Sequence, residues 1–414
     1  MGTGDALIEE WESGWRSSDD FICSGCVSDS FLAAAVSDAV IQGQSCSFCG
    51  TDPAAEFDVF MDAFMVGVRN CFEQADDAGM PVENGYVFPT VDSWDLPGEF
   101  DELAADRVAA TVTGAIQTCL VDKTYASRWW LALEPHQAYS SAWREFREQI
   151  MYRTRFVFWV GKDDAEDYEG AGQVSVSKVL KAIGELLRHF TLVVPLPAGT
   201  RIWRARGHDD LTDSANWGAH DLGTNSPERS TSSTRMSPAG IPLFYGAEKR
   251  TTALDEVSPA DDREYFTVAE FTSTAAITVI DLTRVPQTPS VFDPELGRWH
   301  GELRFLNELV ADLRKPVDNA RSNLDYVPTQ VFCEYFLRVF DDTDVRGLVW
   351  TSAAAAGRCF ALDIPQSHCV AAVDPAVTHT QLHLHAASKS VYRRTPHGFI
   401  AERDEPALSR RTQD

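Results

Sequence analysis

A chain of 414 residues with 44% hydrophobic and 11% aromatic side chains is long enough for two or three domains with ordinary cores. It has no apolar run of about 18 residues that would span a membrane, and its acidic N-terminus lacks the basic and apolar regions of a signal peptide, so we expect a cytoplasmic protein. The formal net charge of −26 is concentrated in residues 1–110, which hold 22 acidic and 3 basic side chains. This charge disfavours binding to nucleic acid phosphates, and the acidic stretch is either a solvated surface or a docking surface for a basic partner.

Four of the nine cysteines form two CxxC pairs, Cys23 with Cys26 and Cys46 with Cys49. Two such pairs about twenty residues apart are typical of zinc ribbons, because each turn supplies two thiolates of a tetrahedral site. We therefore predict that residues 1–54 form an acidic segment with a zinc ribbon. Four thiolates complete the coordination sphere, so the Zn²⁺ would be structural rather than catalytic. A redox pair and a coincidental spacing are the alternatives.

Helical periodicity dominates residues 55–191 and predicts a bundle of four or five helices. The predicted helices cover residues 55–75, 100–121, 138–156 and 175–190. The first of them carries a single apolar stripe, formed by Phe57, Phe60, Met61, Phe64, Met65 and Val68.

Short strand patterns alternate with fewer helices in residues 192–375, which predicts an α+β domain with a mostly antiparallel, split sheet. The strand patterns lie at residues 191–196, 200–206, 242–247, 265–272, 276–282, 346–352, 358–364 and 369–374, and the helix patterns at 249–257, 301–313 and 327–340. The absence of GxGxxG and GxxxxGK[ST] motifs excludes Rossmann and P-loop folds. We predict a C-terminal tail over residues 376–414. From Ala386 onward it is mildly basic and poor in apolar side chains, and we expect that part to be mostly disordered.

Three arginines are candidate ligands for a phosphate-bearing substrate. Arg204 and Arg206 are two residues apart on one predicted strand, so their side chains lie on the same face. Two guanidinium groups on one face can bind a pyrophosphate bidentately, although two solvated arginines on a sheet would show the same pattern. Arg235 precedes a Ser-Pro-Ala-Gly turn and is the third candidate.

An aromatic side chain, a carboxylate and a hydroxyl follow in order. Tyr245 ends a predicted strand, Glu256 lies on the next predicted helix among apolar neighbours, and Ser352 ends a later strand. A carboxylate in apolar surroundings is costly unless it is paired or used. Asp255 is the second candidate for that carboxylate. Ser352 lies outside any GxSxG context, which argues against an acyl nucleophile.

The segment 235-RMSPAGIPLFYGAEKRTTALDEV-257, with Arg204 upstream and Ser352 downstream, resembles the RES family. The resemblance implies an ADP-ribosyltransferase-like fold and NAD⁺ as substrate. It also implies Arg204, Tyr245, Glu256 and Ser352 as catalytic residues, with Arg204, Arg206, Arg235 and Tyr245 binding the nucleotide. Ala205 departs from the second aromatic side chain that related toxins often have beside the arginine.

The implied activity is an NAD⁺ glycohydrolase or phosphorylase that cleaves the nicotinamide–ribose bond and acts as a toxin or defence effector. ADP-ribosyl transfer to a protein and a catalytically silent nucleotide-binding module are the alternatives. Because loss of NAD⁺ harms the producing cell, the resemblance also implies an antitoxin or regulatory protein as a partner.

The helical region resembles the HEPN group, many members of which are RNases with an Arg-x(4–6)-His motif on a helix. Residues 55–190 lack that motif. Arg201 and His208 have the spacing, but they lie on a predicted strand and loop. We therefore expect a regulatory or scaffolding role for the helical region.

Overall fold

A computed structural model describes residues 3–81, 85, 88–101, 103–157, 174–258, 261–315, 321–340 and 344–402. These residues divide into two compact units. The first contains residues 3–140 and Pro286–Phe305, and the second contains the remainder, so the division falls inside two helices. None of the described helices has the length and hydropathy required to cross a membrane.

The first unit is built around one buried helix. Its elements in chain order are α1 (Thr3–Ser13), β1 (Phe21–Ile22), α2 (Ser30–Asp38), β2 (Ala55–Glu56), α3 (Phe57–Cys71), β3 (Phe72–Gln74), β4 (Val91–Asp92), α4 (Ala109–Cys119), β5 (Thr124–Ser127) and the start of α5 (Pro135–Tyr152). All six apolar side chains of the predicted α3 stripe are buried, because a helix repeat of 3.6 residues places them on one face.

Phe292 completes this core from a distant part of the sequence. Its side chain is 1% exposed and its ring lies 6.0 Å from that of Phe64 and 5.3 Å from that of Phe100. The Asn70 side-chain amide donates to the carbonyl of Val291 at 2.8 Å. Residues 286–305 are therefore part of the first unit, although they lie inside the sequence region predicted as the α+β domain.

The helical region differs from the predicted bundle in three respects. Strands β3, β5 and β4 form a small antiparallel sheet, which sequence patterns missed because the strands have only two to four residues. Helix α4 begins at Ala109 rather than at residue 100. Helix α6 (Val179–His189) belongs to the second unit, where the absence of a side chain at Gly184 admits the Phe340 ring.

The second unit contains the large sheet and the remaining elements. These are α6, β6 (Val193–Leu196), β7 (Arg201–His208), α7 (Ala219–Leu222), β8 (Phe244–Ala247), α8 (Arg250–Val257), β9 (Tyr265–Ser273), β10 (Ile277–Asp281), the end of α9 (His300–Arg314), α10 (Ser322–Asp325), α11 (Val327–Arg338), β11 (Gly347–Thr351), β12 (Arg358–Leu362), β13 (Cys369–Val370), β14 (Leu382–Thr395) and β15 (Gly398–Ala401). The predicted combination of a helical N-terminal region and an α+β region is confirmed.

Among the described residues the sheet has the order β13-β14-β9-β7-β8-β12-β11-β10-β6, with β15 beside β14. Its pairings are antiparallel except for β10 with β11 and β13 with β14. Strands β7 and β8 pair at a single position, Trp203 with Ala247, so the sheet is split there into two halves. The mostly antiparallel, split sheet was predicted from the strand patterns.

The predicted disorder of the C-terminal tail is wrong over residues 386–401, which continue β14 and form β15. Strand β14 pairs with β9 along most of its length and with β15 at its end. Its side chains from Ala386 onward are largely half-buried or exposed, so its composition resembles that of a tail while backbone hydrogen bonds hold it in the sheet. Residues 403–414 of the predicted tail lie outside the described residues.

Truncating Phe292 tests the assignment of residues 286–305 to the first unit. We expect Phe292→Ala to destabilise the protein by about 3–5 kcal/mol, because it leaves a cavity among buried aromatic rings. Thermal unfolding followed by circular dichroism measures the effect. Phe156→Ala is the matched control, since that ring is 79% exposed, and equal melting temperatures for the two variants would contradict the packing.

Candidate active site and cysteine cluster

Glu256 and Ser352 form a hydrogen-bonded pair in the second unit. The Ser352 hydroxyl donates to Glu256 Oε1, and Ser352 Oγ accepts the backbone N–H groups of Ala354 at 3.1 Å and Ala355 at 2.9 Å. Ser352 is 5% exposed. Because two amides fix the hydroxyl oxygen, its proton is directed at the carboxylate, and Glu256 is held in one orientation.

The loop between β11 and β12 also anchors the helix that carries Glu256. Thr252 Oγ1 on α8 donates to the carbonyl of Ala356 at 2.9 Å. Gly357 has a φ of +139°, and a Cβ at this position would lie 2.9 Å from Thr252 Oγ1. The Ser352 amide donates to the Gly357 carbonyl at 2.9 Å. A residue without a side chain is therefore required where the helix contacts the loop.

Cys359 is a third member of this cluster that the sequence patterns did not indicate. Its thiol is buried, and Glu256 and Ser352 are both close enough to influence its pKa. Burial raises the thiol pKa, and the charge of Glu256 raises it further. The apolar neighbours of Cys359 in the sequence are those of a small core residue and give no signal that the thiol lies near Glu256.

Tyr245 lies on the same sheet face as Cys359. Tyr245 pairs with Ala361 and Cys359 with Ala247 across β8 and β12, and side chains directly opposite or two residues apart share a face. The phenol oxygen lies 2.5 Å from Thr234 Oγ1 and accepts the backbone N–H of Met236 at 3.1 Å. Burial raises the pKa of the phenol, so it stays protonated at neutral pH.

Arg235 lies in the loop of residues 234–236, which holds the Tyr245 hydroxyl, and it connects this loop to the end of α9. Its guanidinium donates to the carbonyls of Leu313 at 2.9 Å and Lys315 at 2.7 Å. Carbonyls at a helix C-terminus lack partners within the helix and attract positive charge. Arg314, which lies between Leu313 and Lys315, donates from Nη2 to the Ser352 carbonyl at 3.2 Å. The Tyr245 side and the Ser352 side of the site are therefore both hydrogen-bonded to the C-terminal end of α9.

Arg204 and Arg206 share a sheet face, as predicted, but the structure does not bring their side chains to Glu256 and Ser352. The Arg204 guanidinium lies 4.9 Å from the Phe244 ring centroid, and Phe244 and Tyr245 point to opposite faces because strand side chains alternate. Arg204 Nη1 donates to the Tyr245 carbonyl at 2.7 Å. Burial and the neighbouring Arg206 lower the pKa of Arg204 to about 10.

Arg206 is occupied by protein acceptors on that face. Its guanidinium donates to the carbonyl of Asp221 and to Asn225 Oδ1. Burial is the largest cause of its lowered pKa, followed by the charge of Arg263. The predicted role of Arg204 and Arg206 in nucleotide binding therefore remains a prediction.

Arg201 and His208, which share the spacing of the RNase motif, lie on β7 and bind different partners. Arg201 forms a bidentate ion pair with Glu270, at 2.8 and 2.7 Å. The His208 ring nitrogens lie 2.7 Å from the Asp210 carbonyl and 2.9 Å from Thr267 Oγ1. Strand β7, and not a helix, carries both residues.

In the first unit, the four predicted ligand cysteines form a cluster. Their sulfur atoms all lie within 4.8 Å of one another. Cys23 Sγ is 3.7 Å from Cys26 Sγ and 3.5 Å from Cys49 Sγ, and Cys26 Sγ is 3.8 Å from Cys46 Sγ. Tetrahedral Zn–S bonds of about 2.3 Å separate sulfurs by about 3.8 Å. The donor set and its spacing fit one thiophilic metal ion.

The surroundings act differently on the thiols of the cluster. Hydrogen bonds from the Thr51 side chain and backbone lower the pKa of Cys49 to about 6, whereas burial raises the pKa values of Cys23 and Cys26. The backbone N–H of Gly50 donates to the Cys46 carbonyl at 2.9 Å, and Gly50 has a φ of +75°, which favours glycine in this turn. The fold thus places a reverse turn at the second CxxC pair.

Comparison with known proteins identifies both parts of the chain. Residues 40–164 match the HEPN/RES N-terminal domain 1 family, and residues 201–385 match the RES domain family. The chain carries a RES domain. The predicted resemblance to the RES family, with a HEPN-like N-terminal region, is confirmed.

Other comparisons add little to this assignment. No curated protein matches the chain. Among solved structures, the chain resembles one from the M. tuberculosis MbcT–MbcA toxin–antitoxin complex with 15% identity and a TM-score of 0.29, covering 51% of this chain and 93% of that chain.

Placing a side chain at residue 357 tests the contact between α8 and the loop. We expect Gly357→Ala to destabilise the RES domain by at least about 1 kcal/mol, since the substitution disfavours the positive φ and brings Cβ against Thr252. Chemical denaturation measures the loss. Gly218→Ala is the matched control, because Gly218 has a φ of −111° and open space around it. Indistinguishable denaturation midpoints would refute the tight contact.

Proposed function

We propose that the RES domain is an NAD⁺-consuming enzyme that cleaves the nicotinamide–ribose bond. The observation that carries this proposal is the Glu256 carboxylate fixed by Ser352 on the sheet face that also presents Tyr245. A fixed carboxylate suits a reaction in which positive charge develops on a sugar. The split, mostly antiparallel sheet supports an ADP-ribosyltransferase-like fold as part of the same proposal.

In the proposed reaction the bond between ribose C1 and the nicotinamide nitrogen breaks. The electron pair of that bond moves to the pyridinium nitrogen, so nicotinamide leaves as a neutral molecule and the ribose becomes an oxocarbenium-like cation. Glu256 stabilises this cation, and Ser352 keeps the carboxylate directed at it. Addition of water and loss of one proton give ADP-ribose in a glycohydrolase, and addition of phosphate gives ADP-ribose 1-phosphate in a phosphorylase.

Tyr245 and the arginines would hold the substrate. The Tyr245 ring stacks on nicotinamide in this proposal, and its hydroxyl contacts to Thr234 and Met236 keep the ring in place. Arg235 lies on the loop that binds Tyr245, and its Nη1 already donates to the carbonyls of Leu313 and Lys315, so a pyrophosphate would bind through its other donors. Arg204 supports the Tyr245 strand through its carbonyl, and its buried Nε has no acceptor among the described residues. Direct nucleotide contact by Arg206 would require a change of its present partners.

An enzyme that destroys NAD⁺ must be restrained in the cell that makes it. We therefore propose a toxin or defence effector that is controlled by an antitoxin or regulatory protein. The HEPN/RES N-terminal domain ahead of the RES domain supports a regulatory part within the same chain.

For the cysteine cluster we propose structural Zn²⁺ held by Cys23, Cys26, Cys46 and Cys49. Tetrahedral sulfur spacing and four converging thiols support this assignment. Four protein ligands leave no open coordination position, so the ion would stabilise the fold around α2 and take no part in NAD⁺ cleavage.

Replacing the carboxylate without changing its size tests the activity. We expect Glu256→Gln to lower the rate of nicotinamide release from NAD⁺ by at least about 100-fold, because the amide cannot neutralise the developing cation. Chromatographic detection of nicotinamide, with and without phosphate, measures the rate and identifies the nucleophile.

Asp255→Asn is the matched control for Glu256→Gln. Asp255 is the preceding residue on α8, and burial followed by the charge of Glu256 raises its carboxyl pKa. We expect this variant to retain most of the activity. Equal losses in the two variants would argue against a specific role for Glu256, and no release by the wild-type protein with NAD⁺ still bound would favour a silent binding module.

Removing one cluster ligand tests the metal site. We expect about one zinc ion per chain in the wild-type protein and in Cys71→Ser, and almost none in Cys26→Ser, because three thiolates hold Zn²⁺ far less tightly than four. Inductively coupled plasma mass spectrometry measures the metal. Zinc retained fully by Cys26→Ser, or absent from the wild-type protein, would exclude the proposed site.

A further inference from the structure

Arg314 contacts the backbone of Ser352, and no sequence motif indicated it. Its Nη2 donates to the Ser352 carbonyl at 3.2 Å. Its Nε is buried and has no hydrogen-bond acceptor among the described residues. The positive charge of Arg314 also opposes the rise in the pKa of Cys359.

The last turn of α9 holds Arg314 in a defined place. Asp312 accepts a hydrogen bond from Trp143 Nε1 at 3.0 Å and forms an ion pair with Arg147 at 3.0 Å. Arg235 binds the carbonyls on either side of Arg314. Neighbours on both sides therefore fix the helix terminus before any ligand binds.

A buried guanidinium N–H without an acceptor is unfavourable unless something binds to it. Within the described part of the chain, Arg314 also forms no ion pair with a carboxylate, whereas Arg201, Arg338 and Arg358 each have one. In a protein with a net charge of −26, an anionic ligand needs such a local uncompensated cation. Arg314 provides it beside Ser352.

We propose that Arg314 is a further substrate-binding residue, whose Nε–H donates to a phosphate oxygen while Nη2 keeps its bond to the Ser352 carbonyl. This inference rests on the proposed function of the RES domain. The phosphate oxygen belongs either to the pyrophosphate of the nucleotide or to inorganic phosphate that attacks the ribose. Guanidinium donors bind both because the recognised group is the same.

Isothermal titration calorimetry on the full-length protein tests the inference with two probes, ADP-ribose and inorganic phosphate. Neither is cleaved, so binding is measured apart from turnover. We expect Arg314→Met to weaken one of the two by about tenfold or more, as expected for loss of a charge-assisted hydrogen bond. Lys315→Met is the matched control, because it removes a cation from the same helix end at a side chain that is 69% exposed.

The outcomes separate the two phosphate sources. Weakened ADP-ribose binding assigns Arg314 to the pyrophosphate, and weakened binding of inorganic phosphate alone assigns it to the attacking group. Unchanged affinity for both probes, with a lower turnover number, would overturn the inference and make Arg314 a positioning residue for Ser352. If Arg314→Met melts well below the wild type, the same titrations are made with Arg314→Lys, which keeps the charge but lacks Nε. Wild-type affinity of Arg314→Lys for both probes would then refute the contact between Nε and phosphate.

If the proposed function of the RES domain is wrong, the measurements give a different pattern of results. A wild-type protein that binds neither NAD⁺ nor ADP-ribose and releases no nicotinamide would refute the proposed function and the Arg314 inference with it. A wild-type protein that cleaves NAD⁺, beside an Arg314→Met variant with unaltered affinities for both probes, would refute the Arg314 inference alone.

Discussion

The hydrogen bond between Ser352 and Glu256 is the interaction around which the RES domain organises its site. A carboxylate beside apolar side chains is stable only if something donates to it. Here the donor is itself fixed, because the amides of Ala354 and Ala355 hold the serine oxygen. The β11–β12 loop, α8 and the Thr252 contact follow from the need to keep these two side chains together.

Helix α9 supplies the second constraint. Its C-terminal carbonyls bind Arg235, and its last residue reaches Ser352. The Arg235 loop in turn holds the Tyr245 hydroxyl through Met236 and Thr234. A single helix terminus therefore links the aromatic side and the carboxylate side of the candidate site, which are far apart in the sequence.

Much of this architecture could be predicted from the sequence, because local periodicity reports which face of an element is buried. The α3 stripe and the strands around Tyr245 and Ser352 were found in this way. Strand β14 was not, since its side chains are half exposed and its stability comes from backbone pairing with β9. Very short strands such as β4 carry too few residues to show a period.

The candidate site was predictable in part through the resemblance to the RES family. That resemblance indicated Tyr245, Glu256 and Ser352, and the structure places them on one side of the sheet. The position of Arg204 depends on which side of β8 its guanidinium reaches, and the role of Arg314 depends on where a helix ends relative to a loop. Both are tertiary relations between segments distant in sequence, and no local pattern encodes them.

Residues 286–305 belong to the first unit although the sequence on both sides of them belongs to the second. This limits how the protein could have evolved by recombination and how it can be cut into fragments. Residues 286–305 lie within the stretch that matches the RES family, yet Phe292 is buried against rings of the N-terminal half. A gene fragment encoding residues 192–402 alone would leave that ring without its partners and expose an apolar surface to aggregation. The RES region of this chain is therefore not a portable module, and recombination that exchanged its N-terminal half would have to supply a new partner for Phe292.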